Sequence, residues 1–401
     1  MHAPDMRRRA RGFAARLLAC AALAGALAQT QAQAQTQETL AASLREEVVM
    51  APKPGPGGVK LETTLFLPPG DGPFPLVIIN HGKSPGEPHF QPRQRYLIAA
   101  REFLSRGYAV ATPMRQGFAK SGGDYVSDGC DVERNGVAQA DDVAATLAAL
   151  SKRPDIDTRR VVVMGQSQGG LATIALGARN LPQVAGLVNF AGGLRLDDCA
   201  HWQRDLAAAF GHYGAATRVP SLWFYGDNDG FFDVDTWQHM FKAYTDAGGP
   251  ARLVAYGPFR DNAHAMFASP AGLQIWLPEV DKFFRQLGLP FDVRYRIEGA
   301  PEAPSGFAAI DDVARVPFLG EKGRAGYRLF LDKPLPRAFA IAPDGAWAFE
   351  DSDATTMREA LAACQLRATT GTCRLYAVDN DVVWHAGAEP APPVATPRTA
   401  P

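Results

Sequence analysis

The stretch VVVMGQSQGG, residues 161–170, runs a set of β-branched residues into a serine framed by glutamines and glycines. Gly165-Gln166-Ser167-Gln168-Gly169 fits G-x-S-x-G, the pattern of a tight strand-to-helix turn that lifts one nucleophilic hydroxyl to the end of a sheet. Such a turn crowds strand against helix, so the residues two before and two after the serine must be small, and Gly165 and Gly169 are. A serine hydroxyl is a weak nucleophile until a neutral imidazole takes its proton. The imidazole in turn needs a carboxylate to fix its tautomer. In this kind of sheet the chain order is serine, acid, histidine, each just past the C-terminal end of a strand. SLWFYG ends at Gly226 and is followed by Asp227, Asn228 and Asp229, while ARLVAYG leads through PFRDNAHAMF to His264. Three positions in the right order are harder to obtain by accident than the serine pattern alone.

These residues need a frame, and the chain supplies an alternation of strands and helices. VKLETTLFLP alternates sides, and PLVIINHG (75–82) is a continuous apolar run of the kind buried on both faces of a sheet. Helices are expected over 94–105, 137–150, 168–178, 235–246 and 271–287, and strands over 108–111, 160–164, 184–190, 220–225 and 251–256. Val137, Ala140, Val143, Ala144, Leu147 and Leu150 recur at helical spacing. The expected fold class is α/β, a mainly parallel sheet with helices on both faces. Residues 194–218 interrupt the alternation and read as an excursion over the strand ends, of the kind a small lid makes. After Gly288 the chain turns rich in Pro and Gly, and YRLFLD, AFAIAP, CRLYAV and DVVWHA then read as short strands around one helix, 354–366. That is a small C-terminal α+β module with Tyr327, Phe330, Phe339, Trp347, Tyr376 and Trp384 as its aromatic core.

Composition narrows the class of protein. Hydrophobic residues at 46% and charged residues at 21% are those of a globular chain, and a formal net charge of −1 offers no electrostatic basis for binding nucleic acid or anionic membrane. Arg7, Arg8, Arg9, Arg11 and Arg16 precede an apolar run from Leu17 that closes on Ala26-Leu27-Ala28, an A-x-A-like cleavage signal. The run is short of the ~20 residues of a membrane span, so residues 1–28 read as a cleaved signal peptide rather than a stable membrane anchor. Export to the periplasm or the extracellular space follows. Cys130, Cys199, Cys364 and Cys373 would remain, an even number that suggests two disulfides. The favoured pairing is Cys364–Cys373, local in sequence, and hence Cys130–Cys199; four reduced thiols are the alternative. The expected organisation is a signal peptide 1–28, a flexible segment 29–50, a catalytic domain 51–290, a linker 291–309, the module 310–386 and a disordered tail 387–401.

NHG, GQSQGG, YGDND and NAHAMF at this spacing resemble the α/β-hydrolase superfamily, and within it the dienelactone-hydrolase-like and acyl-peptidase-like branch, over roughly residues 59–287. The resemblance implies an α/β-hydrolase fold and hydrolysis of an ester, lactone or amide through a covalent acyl-enzyme. Dienelactone hydrolases proper use cysteine as nucleophile where this chain has Ser167, which points to a serine esterase. The superfamily pattern selects Asp229 as the acid, with Asp227 and Asp233 as alternatives. It implies an oxyanion site made by the backbone N–H groups of Gln168 and Lys83. His81 precedes the serine in chain order and is expected to order its loop by hydrogen bonding. Phe118, Tyr125, Trp202 and Phe231 are candidates for the substrate pocket, with plain packing as the competing role. No cofactor or metal is expected, since no His has ligand spacing with Cys or another His. The expected function is an exported serine hydrolase cleaving a carboxylic ester of a small molecule. The alternatives are a serine peptidase of the acyl-peptidase type acting on a peptide substrate, and a non-catalytic binding protein with a hydrolase shell. The C-terminal module carries no resemblance.

Overall fold

The computed structural model of the protein describes residues 40–55, 57–295, 297, 304–333, 337–351 and 356–386. The leader read at 1–28 and the tail read at 387–401 lie outside the described residues, as do residues 29–39 of the 29–50 segment. Eight strands form the larger sheet: β1 (Glu47–Pro52), β2 (Lys60–Phe66), β3 (Phe74–Asn80), β4 (Ala109–Pro113), β5 (Ile156–Gln166), β6 (Val184–Phe190), β7 (Ser221–Tyr225) and β8 (Ala251–Ala255). Their order is β1-β2-β4-β3-β5-β6-β7-β8. β1 and β2 run antiparallel to their neighbours, and the six others are parallel.

The period of two in the central strands explains the two layers that cover them. Leu76, Ile78, Val161, Val163, Leu187 and Trp223 point to one face. There they meet α2 (Val132–Leu150), α3 (Gln168–Gly177), α4 (Trp202–Ala216) and α5 (Val234–Asp246). Val77, Ile79, Val162, Met164, Leu222 and Phe224 point to the other, against α1 (Leu97–Ser105) and α6 (Leu273–Gln286). Adjacent residues of one strand thus belong to different cores, which is why these strands read as unbroken apolar runs. The loops after β3, β5, β7 and β8 gather at the C-terminal edge of the parallel strands, where sheets of this topology bind ligands. Among the described residues no helix is long and apolar enough to cross a membrane.

A second, four-stranded antiparallel sheet lies in the C-terminal region, in the order β10-β9-β11-β12. It comprises β9 (Ala338–Ile341), β10 (Trp347–Glu350), β11 (Arg374–Val378) and β12 (Asp381–Val382), with α7 (Glu321–Leu331) and α8 (Thr356–Gln365). Tyr327, Phe330, Phe339, Tyr376 and Trp384 are buried together, with Trp347 packed against them.

Four elements differ from the sequence reading. YRLFLD is the end of helix α7, because Tyr327 and Phe330, three apart, are buried while Leu329 is exposed. Its Gly326 lies so close to the Trp347 ring that an added Cβ would sit 2.1 Å from it, a contact a strand would not make. Residues 202–216 are helix α4 rather than an excursion, since Leu206, Ala209, Phe210 and Tyr213 are buried on one face. The segment expected to be flexible to residue 50 holds β1, paired along its whole length with β2. Helix α2 begins five residues early because the Asp131 side chain accepts from Arg134 N at 2.9 Å, and Val137 is exposed.

Disulfides join Cys130 to Cys199 and Cys364 to Cys373, as the sequence order favours. Replacing Cys130 and Cys199 together by serine reopens a loop of 69 residues in the unfolded chain. The loss should be about 4 kcal/mol, against about 2–3 kcal/mol for the Cys364–Cys373 pair. Urea unfolding of both double variants measures this; equal midpoints, or midpoints equal to the parent's, would contradict it.

Candidate active site

Ser167 joins β5 to α3 with φ 57° and ψ −126°, outside the ordinary regions for an L-residue. A conformation of this kind costs of order 1–3 kcal/mol and persists only where surroundings dictate it. Here they do. Its N–H donates to Phe190 O, and its carbonyl accepts from Gly170, Leu171 and Gly193. The glycines supply clearance: a Cβ on Gly165 would lie 2.2 Å from Gly169 O, and one on Gly169 would lie 2.2 Å from Asn80 O.

His264 and Asp229 arrive from the two outer loops. His264 Nδ1 lies 2.9 Å from Asp229 Oδ2, and the Asp229 side chain is wholly buried. The other oxygen of that carboxylate accepts from Phe231 N at 2.8 Å and Phe232 N at 3.1 Å, so Asp229 can only present Oδ2 to the imidazole. The other two acids go elsewhere. Asp233 caps α5 by accepting from Thr236 N; hydrogen bonding from the Thr236 side chain, and then from its backbone, pulls the carboxyl below the ordinary range, and Asp227 is exposed. Asn262 aligns both loops, its Oδ1 accepting from His264 N and from Gly230 N at 3.0 Å each. Ser167 and His264 line one cleft of about 250 Å³ without a direct hydrogen bond between them among the described residues. In unliganded hydrolytic sites this contact is commonly long.

The two glutamines beside the serine brace opposite sides. Gln166 Nε2 donates to His264 O at 2.7 Å, tying the strand end to the histidine loop. Gln168 is buried; its Nε2 donates to Tyr125 Oη at 2.8 Å, and its Oε1 accepts from Arg115 Nη2. The backbone N–H of Gln168 and that of Lys83 meet no protein acceptor among the described residues. Their neighbours are occupied, Gly82 N by Tyr96 Oη and Ser84 N by Gln91 Oε1.

His81 orders the loop after β3, as its place in the chain suggests. Its Nε2 accepts from Arg115 N at 3.1 Å, which leaves the proton on Nδ1 to be donated to Gly82 O at 2.6 Å. Burial, and then the Arg115 charge, hold its pKa well below 6.5, so it stays neutral. Arg115, Tyr96, Asn262 and Gln166 were not singled out by sequence. Nothing in RQGFAKSGGDY distinguishes a guanidinium that is 1% exposed from one in solvent.

The pocket residues need correction. Phe231, half-exposed, lines both clefts at Ser167 and rests on the His264 ring at 4.5 Å between centroids. Phe118 is buried with its ring edge against His81 and the Arg115 guanidinium over it, a support rather than a wall. Tyr125 reaches the site through Gln168, and Trp202 packs beside Phe232 and Arg195; neither lines these clefts. Among the described residues no three His, Cys, Asp or Glu side chains are grouped to hold a metal ion.

Because folded His81 declines a proton that the unfolded chain accepts, stability should fall as pH drops below about 6.5, by up to ~1.4 kcal/mol per pH unit. Chemical unfolding of wild type and His81→Gln between pH 7.5 and 5 measures it. The variant should show the shallower slope, and parallel slopes would contradict the assignment.

Residues 57–218 match the family model of X-Pro dipeptidyl-peptidase, the S15 family. That match includes Ser167, stops before Asp229 and His264, and spans less than half of the chain. Among solved structures the chain is similar to a puromycin-hydrolysing peptidase of Mycobacterium tuberculosis, at 19% identity and a TM-score of 0.47 over 65% of this chain and 42% of that one. It is similar to an esterase of Pyrococcus furiosus at 16% identity and a TM-score of 0.45, over 62% of this chain and 97% of that one. It is also similar to an acylaminoacyl peptidase of Pyrococcus horikoshii at 14% identity and a TM-score of 0.45, over 64% and 43%. This chain therefore spans less than half the length of either peptidase. Over residues 57–218 the chain is thus similar to the S15 family, and the parallel sheet order and the turn at Ser167 agree with that match.

Proposed function

We propose that the protein is an exported hydrolase that cleaves carboxylic esters through a covalent acyl-enzyme on Ser167, with His264 as base and Asp229 as its orienting acid. The observation that carries this reading is the 2.9 Å contact of a buried Asp229 carboxylate with His264 beside a serine held at positive φ. Ser167 Oγ bonds to the ester carbonyl carbon while its proton passes to His264 Nε2. The carbonyl electrons move onto oxygen, which the free N–H groups of Gln168 and Lys83 receive. Each such donor typically contributes about 10²–10³-fold. The tetrahedral adduct then expels the alcohol, which takes the proton from His264, and water repeats the cycle on the acyl-enzyme.

Two clefts meet at Ser167 and suit the two halves of an ester. One, of about 240 Å³, runs past Gln168, Gly193, Leu194 and Phe232; the other runs past Tyr96, Gln166 and His264. His264 borders only the second, so the leaving alcohol belongs there, within reach of the imidazolium proton. Export rests on the arginine-led apolar segment closing at Ala28, and the two disulfides are compatible with it. Residues 51–290 would form the catalytic domain and 310–386 a separate module. A peptidase reading is favoured by the S15 match over 57–218.

A fluorophosphonate probe should label the wild-type protein and leave Ser167→Ala unlabelled; equal labelling of both refutes the nucleophile. Asp229→Asn, which presents the wrong hydrogen-bond partner to His264, should lower kcat by ~10²–10⁴-fold with little change in KM. Turnover of p-nitrophenyl acyl esters against aminoacyl and X-Pro anilides separates the two readings. Faster anilide cleavage would replace the esterase by the peptidase.

A further inference from the structure

The segment from Tyr256 to Gly272, between β8 and α6, carries His264, and its inner side is heavily tied. Asn228 Oδ1 accepts from Phe259 N at 2.9 Å, and Asn228 Nδ2 donates to Arg260 O at 2.8 Å. Tyr256 Oη donates to Ala263 O at 2.9 Å. Its outer side faces the C-terminal module across a cavity of about 300 Å³, bordered by Phe259, Arg260 and Asn262 on one side and by Asp379 and Asn380 on the other. Close apolar packing does not fill that gap. An ion pair crosses it: the Arg260 guanidinium meets the Asp381 carboxylate.

Three features give this pair a role beyond surface attraction. Arg260 has φ 47°, so its backbone resists this conformation unless it is held. Asp381 is 7% exposed and its Oδ2 finds no partner among the described residues, so Arg260 supplies its compensating charge. A buried carboxylate left without its cation is costly, so the pair holds firmly. Finally, the Asp379–Asn380 turn beside Asp381 is itself rigid. Buried Arg337 donates to Asp379 O through Nε at 3.0 Å, to Asn380 Oδ1 through Nη2 at 2.8 Å, and to Asp379 Oδ1 through its backbone N–H at 3.1 Å.

We propose that the C-terminal module positions His264: the β11–β12 turn holds Arg260 through Asp381, and Arg260 O holds Asn228, the residue before Asp229. This rests on the hydrolase reading above. If Arg260 relaxes toward an ordinary φ, its carbonyl swings away from the Asn228 amide, and the two loops that align Asp229 with His264 lose one of their clamps. Asp381 and Arg260 touch no reacting atom and are positioning residues. The module stands outside the 57–218 family match, so this role belongs to the part of the chain that the match leaves unexplained.

The test uses the full, disulfide-intact protein with Asp381→Asn, Arg260→Gln, their combination, and Asp381→Glu. Misplacing a reacting group by 1 Å can cost ~10²-fold, so a lost clamp should lower kcat and the fluorophosphonate labelling rate by ~10-fold. KM should stay within about twofold, because the substrate clefts are untouched. The double variant should be no worse than either single one, and Asp381→Glu should keep most of the activity because it keeps the charge. The His264 Nδ1–H proton resonance reads the Asp229 contact without substrate and should shift or broaden in both single variants. Wild-type rates with an unshifted resonance in folded Arg260→Gln would overturn the proposal, as would multiplicative losses in the double variant. If Asp381→Asn does not fold, Arg260→Gln removes the same contact from the loop side and decides. Failure of both to fold would make the pair purely structural and overturn it. A wild-type protein inert to ester and probe would sink the hydrolase reading instead, and the resonance would still judge the positioning.

Discussion

Ser167 is held at φ 57°, and the arrangement of the site follows from holding it there. The turn works because three backbone segments come closer than side chains allow: β5 at Gly165, α3 at Gly169, and the end of β3 at Asn80 and His81. That approach brings the loop after β3 to the N-terminus of α3. It leaves the N–H groups of Lys83 and Gln168 open where a helix N-terminus already favours negative charge. The strain on one residue and the placement of two donors are consequences of the same contact.

Around this contact lies a buried polar layer. Arg115 is charged, 1% exposed and wedged between the His81 carbonyl and the Gln168 side chain, with burial pushing its pKa down to about 10. Such a group is costly to bury, and the Asp142 charge together with hydrogen bonds to the loop after β3 and to the first residue of α3 offsets that cost. The result is that the serine's flanking glutamines serve different neighbours. Gln166 reaches the histidine loop and Gln168 reaches Arg115 and Tyr125, so displacement of either loop strains the elbow between them.

Much of this was legible in the chain. Strand β6 falls on residues 184–190 as read, and β5 and α3 bracket the elbow as its pattern demands. Central parallel strands announce themselves because both faces are buried, so the apolar run is unbroken. The C-terminal region was harder. There YRLFLD mixes one exposed leucine into an apolar run, and only the approach of Gly323 and Gly326 to Trp347 reveals a helix. In α4, the polar residues Gln203, Arg204 and Asp205 masked a buried face that becomes obvious once Phe210 and Tyr213 have a core to enter.

The sequence by itself determined the G-x-S-x-G turn, the chain order of Ser167, the aspartates after β7 and His264, the alternating frame and the local disulfide, because each is written in neighbouring residues or in periodicity. It left open which of Asp227, Asp229 and Asp233 meets His264, which aromatic residues line the clefts at Ser167, and which residues of the C-terminal region touch the segment that carries His264. Those were decided by tertiary structure, since they depend on side-chain direction and on contacts between distant segments. Asp229 faces the imidazole because its other oxygen is taken by Phe231 N and Phe232 N, whereas Asp233 is spent on a helix cap. Phe118 is turned inward by His81 and Arg115, and Arg260 meets Asp381 across 121 residues of chain. No local pattern encodes a contact between a loop of the larger sheet and a strand of the smaller one.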